Sequence, residues 1–131
     1  VEEIYENLIK AATQARESAY APYSRFKVGA ALLARDGRVF TGSNVENLSF
    51  GLTNCAERTA VFTAVTLGVR LFKGLAVVTA GTEPVTPCGA CRQVLSEFAP
   101  DLWVVCATTG GKRKLFYLSE LLPHGFDSFS P

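Results

Sequence analysis

The chain has 131 residues, a length that suits one domain and suffices for an apolar core without disulfide staples. Its net charge is +1, 19% of its residues are charged, and Lys112-Arg113-Lys114 is its one basic cluster; a phosphate backbone calls for a basic stripe, so no nucleic-acid partner is expected. No apolar run approaches the roughly 18 residues that indicate a membrane span, and residues 1–18 carry Glu2, Glu3 and Glu6 without an apolar stretch, so neither a membrane partner nor a signal peptide is expected.

The periodicities then predict the elements in turn. Residues 2–19 read as an amphipathic helix, with Ile4, Leu8, Ala11, Ala12 and Ala15 at helical spacing. Ala21-Pro22-Tyr23-Ser24 ends it. Residues 26–34 are apolar and predict a strand. Arg35-Asp36-Gly37-Arg38 is a hairpin turn carried by its Asp-Gly pair, and 39–43 returns as a second strand. The polar stretch 44–54 predicts an ordered loop. Residues 55–67 have helix composition, stopped by Gly68. Residues 75–80 form an unbroken apolar strand, buried on both faces. Gly89 to Phe98 is a third helix before Ala99-Pro100, and 102–107 another buried strand. Gly110-Gly111 turns the chain into a short strand at 114–117, followed by a helical turn at 119–122.

The order is α-β-β-α-β-α-β-β, which predicts an α/β fold of two or three layers around a five-stranded mixed sheet. Strands 75–80 and 102–107 are joined through a helix and should be parallel. The last two are joined by about five residues, which permits only an antiparallel hairpin. The hydrophobic fraction, 48%, is high for so short a chain and predicts apolar surface buried against copies of itself.

Four cysteines stand at 55, 88, 91 and 106. With no secretory signal, a reducing cytoplasm is the expected location, and thiols there serve more often as ligands than as crosslinks. Cys55 and the pair Cys88/Cys91 each stand at a predicted helix start. Three sulfur ligands leave one position open on a tetrahedral metal. Three thiolates carry –3 against the +2 of zinc, and helix N-termini stabilise such an anionic unit. Arg58 and Arg92 are expected to donate to the sulfurs and draw off charge. Glu57, two residues after Cys55, is placed to move a proton without ligating. Competing readings are a redox dithiol, a closed structural site with Cys106 or His124 as fourth ligand, and a Glu57 that merely answers the helix dipole. Cys106, inside Leu102-Trp103-Val104-Val105-Cys106-Ala107, fits a core residue better than a ligand.

With these motifs placed, the chain resembles the cytidine deaminase family, specifically its short homotetrameric type with three cysteine ligands. The resemblance runs over nearly the whole chain. It is carried by Ala21-Pro22-Tyr23-Ser24, Phe26-Lys27-Val28-Gly29-Ala30-Ala31-Leu32, Asn44-Val45-Glu46-Asn47, Cys55-Ala56-Glu57-Arg58-Thr59-Ala60, Pro87-Cys88-Gly89-Ala90-Cys91-Arg92-Gln93-Val94 and Leu121-Leu122-Pro123. The mechanism is one known for zinc deaminases in general. What the resemblance implies is one deaminase-like domain over residues 1–131 and zinc-dependent hydrolysis of cytidine and deoxycytidine to uridine, deoxyuridine and ammonia. It implies Cys55, Cys88 and Cys91 as ligands of one Zn²⁺ per subunit. Glu57 would take a proton from water, give it to ring N3 and later serve the leaving amine. The Ala56 backbone would hold the pyrimidine and Phe26 would flank it. Asn44 and Glu46 would bind the ribose 3′-hydroxyl. Phe126 would reach a neighbouring subunit's site in a homotetramer. Phe50 stands where relatives frequently carry tyrosine. A blasticidin S-type aminopyrimidine deaminase and a non-catalytic zinc-stabilised oligomerisation module are the alternatives.

Overall fold

The computed structural model describes residues 2–128. Helix α1 spans Glu2–Arg16, with Glu2 and Glu3 in its first turn and Arg16 in its last, each matched to the dipole end it meets. It is three residues shorter than the periodicity predicts. Glu17, Ser18 and Ala19 donate instead to carbonyls three residues back, tightening the end into a turn. Strands β1 (Val28–Ala34) and β2 (Val39–Ser43) form the expected hairpin, its turn closed by Gly37 at a φ of 97°. Strand β1 starts two residues later than the pattern predicts, because the Phe26 carbonyl is taken by the Asn44 side chain.

A 3-10 turn at Phe50–Leu52 interrupts the following loop. Helix α2 (Ala56–Thr66), strand β3 (Phe72–Thr79), helix α3 (Gly89–Phe98), strands β4 (Trp103–Thr108) and β5 (Arg113–Tyr117) and a final turn α4 (Leu118–Leu121) complete the chain. Strand β3 begins at Phe72, three residues before the expected start, and Phe72 is fully buried.

The sheet order is β2-β1-β3-β4-β5. Only β3 and β4 are parallel; β4 and β5 pair antiparallel, as the short connection requires. The architecture is three-layered. Ala30, Leu32, Val77 and Cys106 pack with Ala60, Val61 and Leu95 of α2 and α3 on one face. Ala31, Leu33, Val78 and Val105, one residue out of phase, pack with Leu8, Ile9 and Ala12 of α1 on the other. Truncating a fully buried leucine such as Leu95 to alanine costs about 2–5 kcal/mol.

One close approach sets the position of the site. A Cβ on Gly42 would lie 2.5 Å from both the Ala56 carbonyl oxygen and the Ala60 nitrogen. Glycine therefore lets the start of α2 lie directly on β2, which brings Cys55 and Glu57 over the carboxyl end of the parallel strands. In open α/β sheets that end is where ligands bind.

Candidate metal centre and its cavity

Cys55 caps the N-terminus of α2, Cys88 caps that of α3, and Cys91 lies in the first turn of α3. Both caps have extended backbone and make no side-chain capping hydrogen bond, so their sulfurs are free to turn toward each other. The three Sγ atoms lie within 4.8 Å of one another, with Cys55 and Cys88 at 3.7 Å. A tetrahedral ion with Zn–S bonds of about 2.3 Å holds its sulfurs roughly 3.8 Å apart, so the donor set fits zinc. No fourth His, Cys, Asp or Glu joins the group among the described residues. Cys106 is buried in the core beneath α2 and α3, and His124 lies on the exposed tail. A metal held by these three sulfurs would keep a position for water.

The charges are arranged for a thiolate cluster. Cys55 is pulled down to about 5, chiefly by a hydrogen bond from Cys91, with Arg58 and Cys88 adding to it against the effect of burial. Cys91 is pushed up by the same sharing and by burial. One negative charge thus settles on Cys55, and metal binding displaces the remaining protons. Arg58 Nη2 donates to Cys55 Sγ at 3.2 Å, as the sequence predicts. Its Nε is buried with no hydrogen-bond partner among the described residues.

Arg92 departs from the expectation. Its Nε donates to the Pro87 carbonyl at 2.7 Å, Nη1 to the Leu121 carbonyl at 2.8 Å and Nη2 to Thr86 Oγ1 at 2.9 Å. Each nitrogen places an N–H on an oxygen, and none bonds to sulfur among the described residues. Arg92 ties the loop before Cys88 to the end of α4 and so fixes the thiol pair by its backbone.

Glu57 is 5% exposed in the first turn of α2. Burial pushes its carboxyl up to about 7, the Cys55 thiolate adds to the shift, and Arg58 opposes it. Such a group can both take and return a proton near neutrality.

These residues border a cavity of about 270 Å³, large enough for a small ring with a sugar. Cys55, Ala56, Glu57, Cys88 and Thr86 line one part; Phe26, Asn44, Glu46 and Ser24 line another; Val28, Val77 and Thr79 lie on the sheet. Ala56 opens α2, and the first N–H groups of a helix have no intrahelical acceptor. Phe26 is 41% exposed. Arg25, just before it, has a φ of 60°, a left-handed conformation that costs a non-glycine residue about 1–2 kcal/mol. The two neighbours of Arg25, Ser24 and Phe26, both line the cavity.

Asn44 and Glu46 also hold the loops together. Asn44 Oδ1 accepts from the Val28 N–H, and its Nδ2 donates to the Phe26 carbonyl, both at 2.9 Å. Glu46 Oε1 accepts from the Tyr23 and Ser24 N–H groups, and Oε2 accepts from the Ser24 hydroxyl. These donors hold the Glu46 carboxyl below the usual range, the Ser24 hydroxyl first among them. One N–H on Asn44 Nδ2 and one lone pair on Glu46 Oε2 stay free for a ligand. The bond from Ser24 to Glu46 has no signal in the sequence, since the two stand 22 residues apart.

Two expected substrate residues do not border the cavity in this chain. Phe50 is 66% exposed and meets Tyr23 edge-on. Phe126 is equally exposed, its backbone held at both N–H and carbonyl by the Gln93 side chain.

Fold and site together define a zinc-binding α/β domain with an open metal position beside a buried carboxyl group. Comparison with known proteins makes that class specific. Residues 2–107 match the family model described as the cytidine and deoxycytidylate deaminase zinc-binding region. A cytidine deaminase from Halalkalibacterium halodurans is 56% identical, over 91% of each chain. One from Sporosarcina psychrophila is 52% identical, over 92% of this chain and 90% of its own. The crystal structure of cytidine deaminase from Burkholderia pseudomallei superposes with a TM-score of 0.91 at 53% identity, covering 93% of this chain and 98% of that one. That from Mycobacterium tuberculosis gives 0.82 at 44%, covering 95% and 98%. The chain belongs to the cytidine and deoxycytidylate deaminase family, and Cys55, Cys88 and Cys91 are positioned as its zinc ligands.

Proposed function

We propose that this protein catalyses the hydrolytic deamination of cytidine and deoxycytidine. Water adds at ring C4, the C4–N bond breaks, and uridine or deoxyuridine leaves with ammonia. The observation that carries this reading is the pairing, in one cavity, of three thiols at zinc spacing with a buried carboxyl raised to about 7. Zinc, when bound, supplies a Lewis acid that lowers the pKa of water toward roughly 7.

The remaining work belongs to the chain. Glu57 takes a proton from the attacking water, passes it to ring N3, and then moves a proton to the departing amine. Arg58 draws charge from Cys55, so that three thiolates do not quench the metal. Arg92 acts through the backbone of Pro87 and so positions Cys88. The Ala56 N–H meets the pyrimidine and Phe26 covers it. The spare N–H of Asn44 and the spare lone pair of Glu46 together suit a sugar hydroxyl, which must both accept and donate.

The whole chain, residues 1–131, is one domain in this reading, supported by its single continuous sheet. It works as a homotetramer with shared sites, supported by the exposed Leu48, Phe50, Leu52 and Phe126. Its location is the cytoplasm, supported by four free thiols.

A direct assay tests the proposal. Purified protein, with zinc quantified, is given cytidine, and the loss of cytidine absorbance is followed, with blasticidin S and deoxycytidylate as comparators. Turnover of cytidine above both comparators is expected. Zinc-loaded protein that leaves cytidine unchanged overturns the reading.

A further inference from the structure

One residue that borders the cavity has a buried polar atom with no partner among the described residues. Thr79 ends β3, and by strand alternation its side chain lies on the same sheet face as Val77, toward α2 and α3. It borders the cavity next to Val28, its antiparallel partner on β1. Thr79 is 1% exposed, and its Oγ1 makes no hydrogen bond. Its neighbour on β4, Thr108, is the internal control: Thr108 Oγ1 accepts from the Lys112 N–H at 3.1 Å. Buried hydroxyls are ordinarily bonded, and an unpaired one in a native fold calls for an explanation.

The surroundings narrow the choice. Val28, Val77, Val85, Ala56 and Phe26 give the cavity apolar walls. Such walls can grip the faces of a flat ring but leave its in-plane orientation to polar groups at its edge, of which the Ala56 N–H and Glu57 are two. A hydroxyl, which both donates and accepts, can add a third. The edge of an aminopyrimidine offers an amine that donates and a carbonyl that accepts. Rotation about χ1 interchanges Oγ1 and Cγ2, and can present the hydroxyl to a ring seated there.

We propose that Thr79 is a substrate-positioning residue whose hydroxyl pairs with the polar edge of the bound aminopyrimidine and fixes its in-plane orientation. The inference rests on the deaminase reading above and assigns that reaction a further residue.

Valine has the same shape and suits a strand, so Thr79→Val removes the hydroxyl alone, while Thr79→Ser keeps it. KM and kcat for cytidine, the pH–rate profile and the melting temperature are measured on the zinc-loaded full chain. Thr79→Val is expected to raise KM about five- to ten-fold, the worth of one ordinary hydrogen bond, with kcat within about two-fold. Its melting temperature should equal or exceed that of wild type, because an unpaired buried hydroxyl has been removed. Thr79→Ser should hold KM within about two-fold of wild type. An unchanged KM in Thr79→Val overturns the proposal. So does a lowered melting temperature with unchanged KM, which gives the hydroxyl a structural partner, or a moved pH profile with unchanged KM, which assigns it to Glu57. Wild-type protein that fails to turn over cytidine sinks the deaminase reading and this one with it; turnover with an indifferent Thr79→Val sinks this one alone.

Discussion

The three thiols stand at the starts of two helices packed on one sheet face, with Glu57 buried and Arg58 bonded to Cys55. The aromatic residues Phe50 and Phe126 stand outside the cavity, two-thirds exposed, on a short turn and on the tail after α4. The thiol centre is complete within one chain, and its geometry follows from helix packing. The aromatic rim has no such support and gains its place only if other surface covers it. The thiols and their neighbours are thus set on rigid elements, while the exposed aromatic residues stand on segments without such support.

That contrast can be broken first at its buried end. Glu57→Gln keeps shape and removes the ionisable proton. Turnover should fall by about 10²- to 10⁴-fold with zinc content unchanged by metal analysis. Near-normal turnover would leave the thiol end without its base. Arg58→Ala is the next step down. Zinc affinity, measured by competition with a chelator, should weaken about 10- to 100-fold, as for other groups that orient metal ligands. An unchanged affinity together with an unchanged pH–rate profile would make Arg58 a bystander.

The rim calls for a different kind of experiment. Phe126→Ala should raise KM by about five-fold while leaving zinc content intact. Mixed with Glu57→Gln protein, it should regain activity, because each subunit then supplies what the other lacks. No recovery would mean that Phe126 serves its own chain.

The smallest effect concerns the loop that joins the two regions. Glu46 has its carboxyl lowered from the ordinary 4.5 by the Ser24 hydroxyl and two backbone N–H groups. A lowered folded value means that its stabilisation is whole above pH 4.5 and fades as the pH falls through the lowered value. The melting-temperature gap between wild type and Glu46→Gln should therefore be widest near neutrality and close in acid. A gap that stays constant with pH would remove the charge from the account.

Much of the thiol end was legible because its signals are local. Cys88 and Cys91 are three residues apart at a helix start, and the apolar strands 75–80 and 102–107 could hardly be other than neighbours in a sheet. Strand β1 starts late where the Asn44 side chain takes the Phe26 carbonyl, and β3 starts early where Phe72 pairs with Ala34 and is buried. Arg92 reaches the Leu121 carbonyl 29 residues away, which no spacing rule gives, and its nearer bonds to Pro87 and Thr86 follow from how the loop before Cys88 folds. Ser24 closes a motif that assigned it no role, and Thr79 carries no motif. Their meaning comes from the acceptor opposite one and from the absence of an acceptor opposite the other.

The double employment of Asn44 and Glu46 has an evolutionary consequence. The atoms that would read the sugar are bonded to the backbone at Val28, Phe26, Tyr23 and Ser24. A substitution that altered sugar preference there would also loosen the segment that carries Phe26. Single mutations at these two positions are therefore poor routes to a new substrate, because folding filters them before specificity can be selected. Thr79, whose hydroxyl bonds to no other group among the described residues, leaves the chain freer to drift toward a new ring.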